Sequence, residues 1–424
     1  MASILFVSKG GDGYGLATRL AQEGHLVRFY IYDKEIKGAG EGFKNPRLIS
    51  SLTGASLDGI DLIVFDMVGL GHIAEVLAKR GKLVLGGGRF MDLIELDRSY
   101  GQKVAALSSL KIPPTHKFQT SEEGLRFLEK VQKPYVLKPL GNKPTNLTLV
   151  SKTSGNELLK DFLSSKEEAK EIGSFLLQEK IEGIEISTEG WFNGKNFIAF
   201  NHTIERKRFM EGNKGPNTGC MGNIVWTCEE DKLVKYALLP LTSFLKRQNY
   251  IGPLDVNCIV TPQEAYFLEF TARFGYDAIY ALLELLKGSL FDLLFGCATG
   301  TSLPSFKPYY GIGVRLSLAP YPLGEVEDFK PFKGLRVVEI PEEAKKHVWL
   351  HDVMLKDNEV VLSGTGGAFA CVTAWGENIR ECRRRVYRTI SNISLTNDIQ
   401  YREDIGADKE EEQIEELRGL GWIS

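Results

Sequence analysis

Residues 252–275 read GPLDVNCIVTPQEAYFLEFTARFG. Two runs rich in β-branched and aromatic residues flank the break TPQE, so the segment predicts an antiparallel hairpin. Side chains alternate across a strand, which puts Glu269, Thr271 and Arg273 on one face of the second run and Asp255 and Asn257 on one face of the first. Carboxylate and neutral oxygens on adjacent strands, with a cation beside them, suit Mg²⁺ bridging phosphates, because that ion keeps waters and takes few protein oxygens. Paired charges on a solvated sheet face would leave the same pattern.

Upstream segments add to the hairpin. YVLKP puts Lys138 at the end of an apolar strand, where an ammonium group needs an anionic partner, and a phosphate would serve. The donor-rich turn LGNKPTNLT that follows suits a cover over phosphates or a plain hairpin. LLQEKIEGIEIS offers strand backbone to a purine edge, with Glu179 or Glu185 available to ribose hydroxyls. Between the cationic run ERKRF and the strand residues IVW lies NKGPNTGCMG, residues 213–222, which reads as a loop whose backbone N–H groups could hold an anion.

The N-terminus opens strand, turn, helix, strand: SILFVS, KGGDGYG, LATRLAQEG, LVRFYIYD. Further strands at DLIVFD and KLVLGG make residues 1–96 a small parallel α/β domain. Gly11, Gly13 and Gly15, with Asp33 about twenty residues on, imitate a dinucleotide fingerprint but with the spacing G-x-G-x-G. A strand-to-helix turn with an anion at the helix start accounts for them as well, and a nicotinamide oxidoreductase reading rests on this turn alone.

In order along the chain, KIPPT, YVLKP, QEKIEGIEIS, ERKRFMEGNKGPNTGCMG, FLEFTARFG, ACVTAWGENIRECRRRVYRTISNI and YREDIG resemble the ATP-grasp ligases of the phosphoribosylamine-glycine ligase family. The resemblance implies an α/β and α+β multidomain fold: a small parallel α/β pre-ATP-grasp domain over 1–96, a two-lobed ATP-grasp domain over 97–304 with a mobile lid lobe at about 115–190, and a C-terminal mixed β/α domain over 305–424 ending in an acidic tail. It also implies ATP with Mg²⁺ or Mn²⁺, and a reaction in which ATP phosphorylates a carboxylate and an amine then displaces phosphate.

Carried over by position, Lys138 would hold ATP phosphates, Glu179, Lys180 and Ile181 would read adenine, and Glu185 would meet ribose. Glu269 would bind the metal, with Asn257 and Thr271 as further ligands. Arg273 and Lys207 would stabilise the migrating phosphoryl group, and Asn217, Thr218, Gly219, Met221 and Gly222 would clamp the carboxylate substrate. Several places differ from the family pattern. Thr271 replaces an asparagine, and Tyr100 replaces a lysine, which leaves Arg98 or Lys103 to supply the charge. Asp277 is the only acid near the end of the hairpin motif. DGYG and DMVGLG replace the family's amine-binding motifs, and Asn213 with Lys214 replaces an acid, so an altered amine or amino-acid substrate is implied. A catalytically silent nucleotide-binding scaffold is the alternative these changes keep open.

A formal charge of −3 over 424 residues argues against a dedicated nucleic-acid binder or a membrane-surface protein. Six scattered cysteines without a C-x-x-C pair fit a reducing cytoplasm. The oily stretch ALLELLKGSLFDLLFGCA is broken by Glu284, Lys287 and Asp292, which suits core helices and no membrane span. His347 and His351 lack a third ligand, and RECRRRVYR reads as a solvated basic helix face. Small-molecule carboxylate and amine substrates are the expected partners, and the protein is expected as a monomer or homodimer.

Overall fold

A computed structural model of the chain describes every residue except 35, 37, 141–146, 166, 168, 170, 171, 337–339 and 394–398. Most of the turn LGNKPTNLT therefore lies outside the described residues. The first region is a parallel sheet whose strands run, edge to edge, Arg47–Ile49, Leu26–Ile31, Ser3–Ser8, Leu62–Phe65 and Val84–Leu85. Helices cover the sheet, so the central strand is almost wholly buried, and this explains its unbroken apolar run. The strand order reverses beside Ser3–Ser8, and ligands bind open α/β sheets outside the carboxyl ends at such a point. The glycine turn and Asp66 sit there.

The second region is a four-stranded sheet ordered Thr115–Phe118, Phe175–Glu179, Tyr135–Pro139 and Leu149–Val150. Its core of Leu128, Leu137, Leu159, Phe175 and Leu177 is separate from the main core, so it packs as a small unit of its own. A capping box from Thr120 and Glu123 starts the helix Ser121–Leu128 that covers it.

The third element is an eight-stranded sheet: Ala265–Thr271, Gly252–Val260, Ile184–Phe192, Phe197–Met210, Lys214–Cys228, Tyr310–Ser317, Ala368–Gly376 and Val348–Leu350. Its last three strands come from beyond residue 305, so the third expected region continues the sheet of the second. The expected hairpin is present. The segment expected as a loop is not one: all but Asn213 of residues 213–222 falls in the strand Lys214–Cys228, paired to Phe197–Met210 with register shifts between Arg206 and Arg208 and between Arg208 and Met210. Glycine and proline weaken a strand's own propensity, but the long strand Phe197–Met210 templates this part, and Tyr310–Ser317 joins on the other side from Gly222.

The acidic tail is also built in. Helix Asp408–Gly419 buries Ile414 and Leu417, and Trp422 and Ile423 join the main core. Among the described residues no helix is long and apolar enough to cross a membrane.

Candidate active site

A cavity of about 900 Å³ runs between the four-stranded and eight-stranded sheets and reaches the first region at Asp12 and Met67. Four adjacent strands supply its charged floor. Asn257 pairs with Glu269 and Asp255 with Thr271 across the hairpin, while the neighbouring strand sets Ser187 opposite Asn257 and Glu189 opposite Asp255. The spacing read from the sequence thus places the oxygens side by side.

Lys207 is the hub of this floor. Its Nζ lies 3.0 Å from Glu185 Oε1, 3.5 Å from Glu269 Oε1 and 3.6 Å from Glu205 Oε2. Burial works against its charge, but the three carboxylates outweigh burial and raise the amine well above its ordinary value. Arg98 Nη1 sits 3.5 Å from Glu269 Oε2. Desolvation likewise opposes charge on Glu269, and Lys207, Arg98 and Lys138 overcome it, holding the carboxyl at about 2. Lys138 has the opposite balance: burial, only partly offset by Glu269, lowers it to about 8.

Asn257 donates its amide to Glu185 Oε1 at 3.2 Å and Ser187 Oγ at 3.3 Å, and its Oδ1 is buried without a partner. Asp255 Oδ1 is in the same state, and Asp255, Asn257, Glu269 and Thr271 all line the cavity. Unspent oxygens beside an ionised carboxylate fit a hard divalent cation.

Residues 97–278 match the family model "Phosphoribosylglycinamide synthetase, ATP-grasp (A) domain". Over that stretch the chain is similar to the ATP-grasp domain of the phosphoribosylglycinamide synthetases. It is 26% identical to a phosphoribosylamine–glycine ligase from Clostridium acetobutylicum, over 96% of this chain and all of that one. It is 25% identical to one from Helicobacter pylori, over 95% and 96%. The crystal structure of phosphoribosylamine–glycine ligase from Thermotoga maritima has the same fold, with a TM-score of 0.71 at 21% identity over 95% of this chain and all of the other. A biotin carboxylase from Campylobacter jejuni shares it at a TM-score of 0.68 and 14% identity, over 98% and 96%. Neither the scaffold nor the nicotinamide alternative draws support from these relatives.

Within the ATP-grasp frame most of the expected residues meet. Lys138, Glu179, Lys180, Ile181, Glu185, Lys207, Asn217, Thr218, Gly219 and Arg273 line the one cavity with the hairpin oxygens. Glu185, expected at ribose, lines the cavity and accepts bonds from Lys207 and Asn257. Four expectations need correction. Lys103 is exposed and outside the lining, and Arg98, a turn earlier on its helix, faces Glu269. Met221 is fully buried in the core. Gly222 is a packing glycine, since a Cβ there would meet Ile405 Cγ1 at 2.5 Å. Asp277 is sealed at 1% exposure and grips Arg315 through two bonds of 2.7 and 2.8 Å, so Arg315 is the group that reaches the cavity.

Sequence reasoning also missed Glu205 and Glu95. Glu205 stands two residues before Lys207 on a strand and so on the same face, a signal that was available. Glu95 holds Arg273 Nε at 2.8 Å and the Ala272 N–H at 2.7 Å from a helix far away in sequence, and no local pattern announces it.

At the far end of the ATP-grasp cavity the first glycine turn rests on Asp66. A Cβ on Gly13 would meet Asp66 Oδ2 at 2.4 Å, so glycine here permits close packing. Ser8 Oγ donates to Asp66 Oδ2 at 2.7 Å. Complete burial, aided by Asp12, pushes Asp66 up to about 8. The folded state therefore keeps a proton that the unfolded chain releases near 3.9, and this contribution to stability is lost as pH rises toward about 8. Melting temperatures at pH 5 and pH 8 are expected to differ less in Asp66→Asn than in the parent; an unchanged difference would mean another group sets the slope. His347 and His351 do not form a pair: His347 bonds Glu284 Oε1 at 2.8 Å, and His351 faces Tyr280.

Proposed function

We propose that the protein is an ATP-dependent carboxylate–amine ligase that works through an acyl-phosphate and releases ADP and phosphate. The observation that supports this most is the cluster of Lys207 with Glu185, Glu205 and Glu269, facing Lys138 and Arg98 across one cavity. Phosphoryl transfer asks mainly for positioned charge and little covalent help from the protein. Glu269, Asn257 and Asp255, with Thr271 beside them, would hold a divalent ion, Mg²⁺ or Mn²⁺, which supplies charge neutralisation at the phosphates.

Lys138 and Arg98 take the phosphate oxygens, and the strand end Glu179–Ile181 takes the base. The carboxylate lies against the backbone of Asn217, Thr218 and Gly219 and attacks the terminal phosphorus, with ADP as the leaving group. Arg273, fixed by Glu95, and Arg315, fixed by Asp277, pair with no second carboxylate among the described residues and stabilise charge on the transferred group. The amine then attacks the acyl carbon from the Asp12 side, phosphate leaves, and the amine gives up its proton.

The names of the relatives make glycine and phosphoribosylamine the first pair to test, with a cytoplasmic place in purine biosynthesis if they react. ADP release that needs a carboxylate and an amine together supports the ligase. Nucleotide binding without turnover under every pairing would overturn it.

Lys138 gives a check on the ATP site that needs no second substrate. Phosphates beside its amine raise a pKa that stands at about 8 in the free protein, so ATP binding is expected to take up protons near pH 8 and to weaken as pH rises above it. Calorimetry in two buffers of different ionisation enthalpy reads this directly. An equal heat in both buffers would place Lys138 away from the phosphates.

A further inference from the structure

Helix Asp408–Gly419, which the sequence presents as a charged tail, reaches the cavity. Arg206 donates from Nε to Glu410 Oε1 at 2.6 Å and from Nη2 to Gln413 Oε1 at 2.9 Å. Glu410 is 2% exposed, and its second oxygen, Oε2, is buried without a hydrogen-bond partner. Buried carboxylate oxygens are ordinarily satisfied, so this one is a sign of a missing donor.

Gln413 and Arg206 both line the cavity, as does Arg208 two residues along the same strand. Gln413 accepts from Arg206 and donates to no group among the described residues. Among the described residues Arg208 gives one side-chain bond, to the Gly215 carbonyl at 2.8 Å, and has no carboxylate within ion-pair distance. This wall thus presents two guanidinium groups and an amide donor, with Glu410 behind them and outside the lining. It stands beside Asn217, the cross-strand partner of Arg208, where the carboxylate substrate is held.

Resting on the ligase reading above, we propose that this wall is a subsite for the side chain of the carboxylate substrate, which is an amino acid ending in a planar carboxylate or carboxamide and not glycine. A planar group of that kind matches the fork of Arg208 and the free N–H of Gln413. Glycine would leave the wall's polar groups unpaired, and a site built to hydrogen-bond a group discriminates strongly against substrates that lack it.

The test is steady-state ADP release with one fixed amine and glycine, alanine, aspartate, asparagine, glutamate and glutamine in turn. An acid or amide side chain is expected to exceed glycine in kcat/KM by about tenfold or more. Gln413→Leu is expected to remove most of that advantage through KM for the amino acid while KM for ATP stays in place. Aspartate against asparagine, and glutamate against glutamine, separate the charged from the neutral group. A preference for glycine that Gln413→Leu leaves intact overturns the subsite. If no amino acid supports ADP release, the ligase reading fails, and calorimetric titration of the same amino acids into the ADP-bound protein decides the subsite separately. Binding of a side-chain acid or amide that disappears in Gln413→Leu upholds it, and no binding overturns it.

Discussion

Glu269→Gln is expected to cut coupled ADP release by about 10²–10³-fold or more, the scale seen when one preorganised charge is removed from a reacting centre. The reason lies in the arithmetic of charge around it. Glu269 stands among Lys207, Arg98 and Lys138, and each of these helps hold its carboxyl at about 2. The neutral amide keeps the shape but removes the only carboxylate that Arg98 meets among the described residues. It also removes the one carboxylate of the oxygen set that is held ionised, which any divalent ion would need.

The same substitution has a signature in stability. A carboxyl depressed to about 2 in the fold, against an ordinary value of about 4.3, contributes stability above pH 4.3 and loses it as pH falls through 2. Melting temperatures of the parent are therefore expected to fall between pH 5 and 2, and this acid limb is expected to be shallower in Glu269→Gln. Turnover within tenfold of the parent would remove Glu269 from the phosphoryl site. An unchanged acid limb would mean that the surrounding cations do not grip it.

These features differ in how visible they were from sequence, and the differences have physical causes. The hairpin was legible because a strand's period of two fixes which side chains share a face, so Asn257 opposite Glu269 follows from spacing once the turn is seen. Arg98 in place of Lys103 was not decidable, because both lie on one helix and only its packing against the hairpin selects the face that meets Glu269. The segment 213–222 misled because its glycines suggest a mobile backbone, whereas Gly222 serves a tight contact with Ile405 and Met221 fills the core. Gln413, Glu95 and Arg315 were out of reach. Each acts across a sequence separation of a hundred residues or more from the hairpin or strand it supports, or takes its place from a partner that no local pattern marks.

Arg402→Met is expected to have the largest effect of any substitution outside the carboxylate cluster. Arg402 is 1% exposed and spends its guanidinium in four directions. Nε and Nη2 hold Asp404 Oδ1 and Oδ2, each at 2.7 Å, while Nη1 donates to Arg208 O at 3.0 Å and to Asn213 Oδ1 at 2.9 Å. Asp404 Oδ2 in turn accepts from the Gly212 N–H at 2.9 Å. The turn gripped in this way has Gly212 at φ 64° and Asn213 at φ 56°, left-handed values that glycine and asparagine adopt readily, so the Arg402 and Asp404 bonds select this turn from others open to the segment. The strand leaving that turn carries Asn217, Thr218 and Gly219 into the cavity. Asn213, which the sequence offers as a lost substrate acid, is thus the acceptor by which the YREDIG segment fixes the clamp.

Methionine removes the charge but keeps much of the volume, leaving Asp404 without its cation; because Asp404 is 29% exposed and Asn213 lies at the surface, water offsets part of the loss and the cost is about 1–3 kcal/mol. KM for the carboxylate substrate is expected to rise about tenfold or more, because a clamp that must be ordered on binding weakens affinity. KM for ATP is expected to stay within about twofold. Arg402→Lys is not expected to rescue either property, since an ammonium group cannot reproduce the planar fork that serves Asp404 and Asn213 together. Thermal melts and a double-substitution cycle with Asp404→Asn measure the coupling, and kinetics measure the split. A melting temperature that falls while both KM values hold would reduce the Arg402–Asp404 pair to a staple between the sheet and the C-terminal segment, with no part in positioning the substrate.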